Sequence, residues 1–218
     1  MLFRMFRTGK CLYTVFLSTF FISGVNAQAP VVAGYLDYFD GDFAKVLVNQ
    51  QQKFLHRSGL VMVDKVENNG YYRTVVAVDR DAYGAINRQG KVIAPFKYDG
   101  VRLLDEKNDR NPEQNYCLVV VKLNGKAGAV DSTGNVLCEP EYSEIEPLTP
   151  HTFKVKKDGL WGWRDMKSGK LLQQPQYEEV SKSYALDGLI EITQKGLAGL
   201  AKEDGTVLAP PKYKDFRG

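Results

Sequence analysis

The residues of this chain that could carry acid–base, nucleophilic or metal chemistry are few and scattered. The two histidines, His56 and His151, stand far apart, with no cysteine or carboxylate at metal-ligand spacing. No G-x-S-x-G elbow and no Ser/His/Asp arrangement occurs. Glu139, Glu141, Glu144 and Glu146 lie close together, and a glycan hydrolase would need such carboxylates paired across a cleft. Glu141 and Glu144, however, flank an expected turn and read as a solvated face. Asp105 and Asp109 lack the glycine and terminal glutamate of a calcium loop. The glycines of KGLAGLA precede no helix that could bind a phosphate. No catalytic residue, metal site or cofactor is predicted.

The remaining candidates are aromatic. Trp161 and Trp163, the only tryptophans, flank Gly162 in LWGWRD, and on a strand residues two apart share a face. If that face is exposed, the indoles form a platform for sugar rings, with Tyr177 as a third candidate ligand-binding residue. If it is covered, they are core. The sequence around them favours the second reading, because the segment is one copy of a repeat.

The copies are AYGAINRQGKVIAPFKYDGV (82–101), KAGAVDSTGNVLCEPEYSEI (126–145), LWGWRDMKSGKLLQQPQYEEV (160–180) and LAGLAKEDGTVLAPPKYKDF (197–216). Each has a first glycine (Gly84, Gly128, Gly162, Gly199) and a second one six or seven residues on (Gly90, Gly134, Gly169, Gly205). Eight residues further stands a tyrosine, Tyr98, Tyr142, Tyr177 or Tyr213, with a proline two or three residues before it. An apolar residue follows each tyrosine at Val101, Ile145, Val180 and Phe216. A degenerate copy that lacks the proline and tyrosine precedes these, ending near Gly59 and Val63.

Each copy reads as three short strands. Asn124-Gly125, Asp158-Gly159 and Lys195-Gly196 make the first turns, as tight hairpins, and the second glycines close the second turns. Proline is expected to end the ladder, since it has no N–H to donate. The positions equivalent to Trp161 and Trp163 are Tyr83 and Ala85, Ala127 and Ala129, Ala198 and Leu200, all apolar. That makes a buried row in which large rings fill the space over a neighbour's alanines. The tyrosines read as corners that pack the ring and hydrogen-bond the hydroxyl.

The N-terminus places Arg4, Arg7 and Lys10 before the apolar run Cys11 to Ile22 and the small residues Ser23 to Ala27. This is the order of a secretory signal peptide, and the run is short of the roughly 20 apolar residues of a spanning helix. Residues 1–27 are the expected signal, the mature chain starts at Gln28, and no transmembrane segment remains after cleavage. Of 29 Lys and Arg against 26 Asp and Glu, those three residues are the whole excess. The mature chain is thus neutral, its charges interspersed, and no nucleic acid is expected as a partner. Cys117 and Cys138 fall at diagonal corners of a three-strand unit and are expected as two buried thiols rather than a disulfide.

The repeat is similar to the WG repeat, roughly K-W-G-(F/Y)-I-D-x-x-G-x-(apolar)-(apolar)-x-P-x-(Y/F), over about residues 41–218. Trp161 keeps the tryptophan and Tyr83, Ala127 and Ala198 replace it, while the I-D step survives as Val130-Asp131 and Ile86-Asn87. The resemblance implies an all-β array on secreted or surface proteins, mostly bacterial, with no catalytic residue attached to the repeat.

The expectation is therefore an all-β tandem array of about five three-stranded antiparallel units, as a solenoid, twisted sheet or propeller-like ring. A lead-in at 28–40 would precede a degenerate unit near 41–70 and units near 71–103, 116–147, 151–182 and 186–218, with an inserted loop at 104–115. The expected function is an exported, non-enzymatic binding or scaffold protein, secreted, periplasmic or at the cell surface, whose partner is a protein or glycan. The alternative is an extracytoplasmic hydrolase of cell-wall glycan.

Overall fold

The computed structural model describes residues 33–67, 74–106, 116–183, 186 and 188–214. The expected signal and its cleavage site, and residues 107–115 of the expected loop, lie outside the described residues. All regular structure among the described residues is β, in five antiparallel sheets of four strands each. The first holds β1 (Ala33–Asp40), β2 (Phe43–Val48), β3 (Gln51–His56) and β4 (Met62–Val63). The second holds β5 (Lys65–Val66), β6 (Thr74–Asp79), β7 (Ala82–Asn87) and β8 (Val92–Tyr98). The third holds β9 (Gly100–Glu106), β10 (Tyr116–Leu123), β11 (Lys126–Asp131) and β12 (Val136–Tyr142). The fourth holds β13 (Glu144–Thr149), β14 (Thr152–Lys157), β15 (Leu160–Asp165) and β16 (Leu171–Tyr177). The fifth holds β17 (Glu179–Lys182), β18 (Leu189–Gln194), β19 (Leu197–Lys202) and β20 (Val207–Tyr213). The chain divides into two compact units, residues 1–92 and 93–218.

The unit has four strands where the sequence suggests three. The residues just past each tyrosine do not close a unit but open the next sheet: Val101 pairs with Val121, Ile145 with Val155 and Val180 with Ile192. One residue separates the sheets, at Asp99, Ser143 and Glu178, and its N–H already bonds to the following sheet, on the carbonyls of Lys122, Lys156 and Thr193. The unit boundaries near 103, 147 and 182 therefore move back to those junctions. The same pairing corrects the loop at 104–115, since Leu104, Asp105 and Glu106 are strand residues opposite Leu118, Cys117 and Tyr116. At the other end, the lead-in at 28–40 contains β1, a full member of the first sheet, and the degenerate unit ends at β4 rather than near 70.

The hairpins are as read. Asn124 and Gly125, Asp158 and Gly159, and Lys195 and Gly196 all have positive φ, the geometry whose twist matches paired strands. The first two sheets make the same turn without glycine, at Asn49-Gln50 and Arg80-Asp81.

The first glycine and the proline share one cause. From Ala127 to Ala129 two steps along β11 are matched by four along β12, from Tyr142 to Cys138. The same surplus lies opposite Trp161–Trp163 and Ala198–Leu200. This bulge carries the proline, where no ladder donor is needed, so the strand runs on to the tyrosine instead of ending. The bulge also arches over the glycine: a Cβ at Gly128 would stand 2.7 Å from the Pro140 nitrogen, and one at Gly162 2.3 Å from the Gln173 carbonyl oxygen.

The second glycine is a contact between sheets. Gly134, Gly169 and Gly205 have φ of +102, +68 and +94°, and a Cβ would meet the carbonyl oxygens of Ile93, Leu137 and Leu172 at 3.3, 2.3 and 2.4 Å. These carbonyls occupy one repeat position on the fourth strand of the preceding sheet. Arg164 fastens one such contact, donating from Nη1 to the carbonyls of Leu137 (3.1 Å) and Gly169 (2.6 Å).

The D position of the repeat caps the second turn. Asp131 Oδ1 accepts from the N–H groups of Thr133, Gly134 and Asn135 at 2.8, 2.8 and 2.9 Å. Asp165 caps Ser168 in the same way, and Asn87 does so for Gln89 and Lys91. Partial burial works against the charge on Asp131, but its hydrogen bonds outweigh it and hold the carboxyl below its ordinary range. The folded chain thus binds this proton less readily than the unfolded one, so the contribution is complete above about pH 5 and is lost as pH falls through the carboxylate range. Asp131→Ala should cost about 1–2 kcal/mol at neutral pH. Asp131→Asn, which keeps the oxygen as Asn87 does, should cost less and flatten the acid limb of a urea-denaturation series run from pH 7 to pH 3. An unchanged acid limb would show that the cap does not act through its charge.

Candidate functional site

The two indoles sit on β15, facing the fifth sheet. Trp163 is fully buried and Trp161 is 8% exposed, clustered with Tyr177, Val180, Ile190 and Ile192. Trp163 stacks on Tyr177 with ring centroids 6.1 Å apart, and its Nε1 donates to the Glu203 carbonyl at 2.9 Å. Lys154 Nζ and Lys156 Nζ lie 4.4 and 4.9 Å from the Trp161 ring. The platform reading of Trp161, Trp163 and Tyr177 is therefore corrected: all three are core, and no indole face is presented for a sugar to stack on. The packing partner also differs from the expected one. The ring over the neighbour's alanines does not come from this row. Ala127 and Ala129 are instead covered by Phe153 and Val155, on the second strand of the next sheet, as Trp161 and Trp163 are by Ile190 and Ile192. Emission from Trp161 and Trp163 should accordingly be blue-shifted and resist iodide in the folded chain, and become quenchable on denaturation. Red-shifted native emission would contradict this packing.

Tyr98, Tyr142 and Tyr177 are buried corners. The Tyr142 hydroxyl accepts from Arg164 Nε and Nη2 at 3.2 and 3.0 Å. Tyr213 departs from the row at 41% exposure, with Leu208 at 49%. In Tyr142 and Tyr177 the ring is covered by Ile145 and Val180 of the next sheet, and no strand follows β20 among the described residues.

Three of the four carboxylates of the 139–146 run are ion-paired rather than merely solvated. Glu141, Glu144 and Glu146 meet Lys157, Lys156 and Lys154 at 2.8, 3.5 and 3.0 Å. The Lys157 hydrogen bond holds Glu141 below the usual carboxylate range, partial burial opposing it. Such a group suits a solvated ion pair better than a general acid, whose pKa must be raised.

His56 is buried against the edge of Phe43, with centroids 5.0 Å apart, and its Nδ1 accepts from the Ser58 N–H at 3.1 Å. Burial lowers its pKa, Asp42 opposing and Arg57 reinforcing that shift, so it stays neutral as a packing residue. His151 is exposed on the turn between β13 and β14. Among the described residues no three His, Cys, Asp or Glu side chains gather as a metal site. Cys138 is a buried free thiol, its pKa raised by burial to about 11. Cys117, expected to be buried, is half-buried, because it lies near the start of β10. Cys138 should react with a thiol reagent no faster than the chain unfolds. Prompt labelling of Cys138 in the native protein would contradict its burial.

A charged cleft lies between the third and fourth sheets, at a place that no sequence motif marks. It has a volume of about 420 Å³, with a floor of Val101, Val120, Ala127 and Ile145. Arg102, Lys122 and Glu144 form its rim. The register explains the opening. Across the fourth sheet Glu144, Lys156 and Trp161 stand side by side, and the same row of the third sheet reads Gly100, Lys122, Ala127. Two large side chains are replaced by Gly and Ala while the lysine is kept. The signal was in the sequence, but only register shows that both truncations fall in one row.

Fold and site together define a tandem β-repeat protein, its sheets locked by glycine and capped by Asp or Asn. The family model that matches is that of the WG containing repeat, over residues 83–126 and 128–161, the repeat that the sequence resembles. No curated protein matches the chain. Among solved structures it is similar to Kluyveromyces lactis Hsv2, at 10% identity and a TM-score of 0.32 over 81% of this chain and 62% of that one. It is similar also to a eukaryotic initiation factor, at 14% identity and a TM-score of 0.34 over 88% and 56%. The computationally designed Ika4 protein matches at 17% identity and a TM-score of 0.31 over 68% and 94%. The chain thus spans less than two thirds of the first two structures.

Proposed function

We propose that this protein is an exported, non-enzymatic β-repeat module that binds or scaffolds a protein or glycan partner outside the cytoplasm. The observation that carries the reading is the disposition of the polar groups. Asp131, Asp165 and Asn87 cap turns, Glu141, Glu144 and Glu146 pair with lysines, and Arg164 bridges sheets. Groups held in such contacts shape a rigid surface rather than a reacting centre. Export is supported by Arg4, Arg7 and Lys10 ahead of the apolar run and the small residues before Gln28.

Two measurements test the proposal. Residues 1–40 fused to a phosphatase that is active only after export should give extracytoplasmic activity, and cytoplasmic retention would overturn the export half. The full chain incubated with cell-wall glycan should release no soluble fragments. Release that disappears in Glu141→Gln or Glu144→Gln would replace this reading by the hydrolase.

A further inference from the structure

We infer that the cleft at Ala127 is a binding site for an aromatic ring that carries a carboxylate, seated where the fourth sheet holds its own indole. The inference rests on the binding reading above and gives the chemistry of its ligand. The fourth sheet supplies the template. Trp161 lies beneath Lys154 and Lys156, and Lys154 also reaches the Val180 carbonyl at 3.5 Å. The third sheet preserves that frame around an opening. Lys122 takes the place of Lys156, opposite Ala127 in the ladder as Lys156 is opposite Trp161. Ile145 takes the place of Val180, and its carbonyl accepts from Arg102 Nη2 at 3.0 Å. The lining is thus an apolar floor bordered by Lys122, the counterpart of the Lys156 that lies over the Trp161 ring, an arrangement that favours aromatic over aliphatic occupants.

The charge selects the second feature. Of the three charged groups on the rim, Glu144 is already within 3.5 Å of Lys156. Arg102 spends one donor on Ile145 and lies within electrostatic reach of Glu146, which Lys154 already pairs at 3.0 Å; its other guanidinium N–H groups can meet an anion. A neutral ring would meet the floor and Lys122 alone, whereas an aromatic acid engages Arg102 as well. The volume of about 420 Å³ lies within the range of small-ligand sites. The chemistry is shared by a free aromatic acid and by an aromatic residue next to an acidic one in a polypeptide.

The test is calorimetric titration of the full chain with four probes: N-acetyltryptophan, its amide, N-acetylleucine and the peptide acetyl-Asp-Trp-amide. N-acetyltryptophan should bind at least about tenfold more tightly than its amide or N-acetylleucine. Tighter binding of the peptide would assign the site to a polypeptide partner, and tighter binding of the free acid to a small molecule. Ala127→Trp, which supplies the ring from within the chain, should raise the melting temperature and abolish binding. Arg102→Gln should remove the preference for acid over amide. Ala127→Phe serves as a second filling variant if the tryptophan is too large to fold.

Absence of binding by every aromatic acid, equal binding of N-acetylleucine, or undiminished binding to a folded filled variant would each overturn the inference. Those results leave the export and glycan tests untouched, so the two readings fail separately.

Discussion

Gly169→Ala should lose about 3 kcal/mol or more of stability in chemical denaturation, close to the upper end for a single methyl group. Two costs fall on one atom. The residue has φ +68°, where an L side chain is strained, and its Cβ would stand 2.3 Å from the Leu137 carbonyl oxygen, in rigid backbone. That carbonyl is also held by Arg164, so it cannot swing away without breaking a charge-assisted hydrogen bond. Gly159→Ala separates the two costs, because Gly159 has φ +83° with nothing within 4 Å of its Cβ position. It should lose only the conformational part, about 1–2 kcal/mol. Equal losses at the two sites would show that the contact between sheets contributes nothing.

Trp163→Ala should cost about 3–5 kcal/mol, the range for emptying a large buried site. It also removes the stacking on Tyr177 and leaves the Glu203 carbonyl without its indole donor. Trp163→Phe keeps a ring on Tyr177 and should recover most of the loss, leaving about 1 kcal/mol for the absent hydrogen bond. Trp161→Ala should cost less than Trp163→Ala, since Trp161 keeps 8% exposure whereas Trp163 is fully buried and its indole N–H is hydrogen-bonded. A ranking in which Trp161 is the more costly site would contradict this account.

The turns, the glycine positions and the buried row were legible in the sequence because each has a local cause. Asn-Gly and Asp-Gly mark a hairpin wherever they stand between alternating strands. The fourth strand was not legible, because a single residue such as Ser143 joins β12 to β13 with no glycine or turn to mark it. Pro140 misled for a related reason: the rule that proline ends a ladder assumes regular pairing, and here the residue sits in a bulge. The turns at Asn49-Gln50 and Arg80-Asp81 gave no glycine signal although they take the same conformation. At the candidate site, Ala127 was visible as a replacement for the repeat's tryptophan. Its meaning depended on Gly100, on a strand that the sequence did not reveal.

The one-residue junctions govern which changes of length the chain tolerates. A single residue inserted at Ser143 would shift β13 by one step against β14, sending Ile145 to solvent and Glu146 toward the core. A whole unit gained or lost between two junction residues keeps every register. It also returns each second glycine to a carbonyl of the same kind. Genes for such arrays can therefore lengthen or shorten by unequal recombination in steps of one unit, while small insertions survive only in segments that pair with nothing.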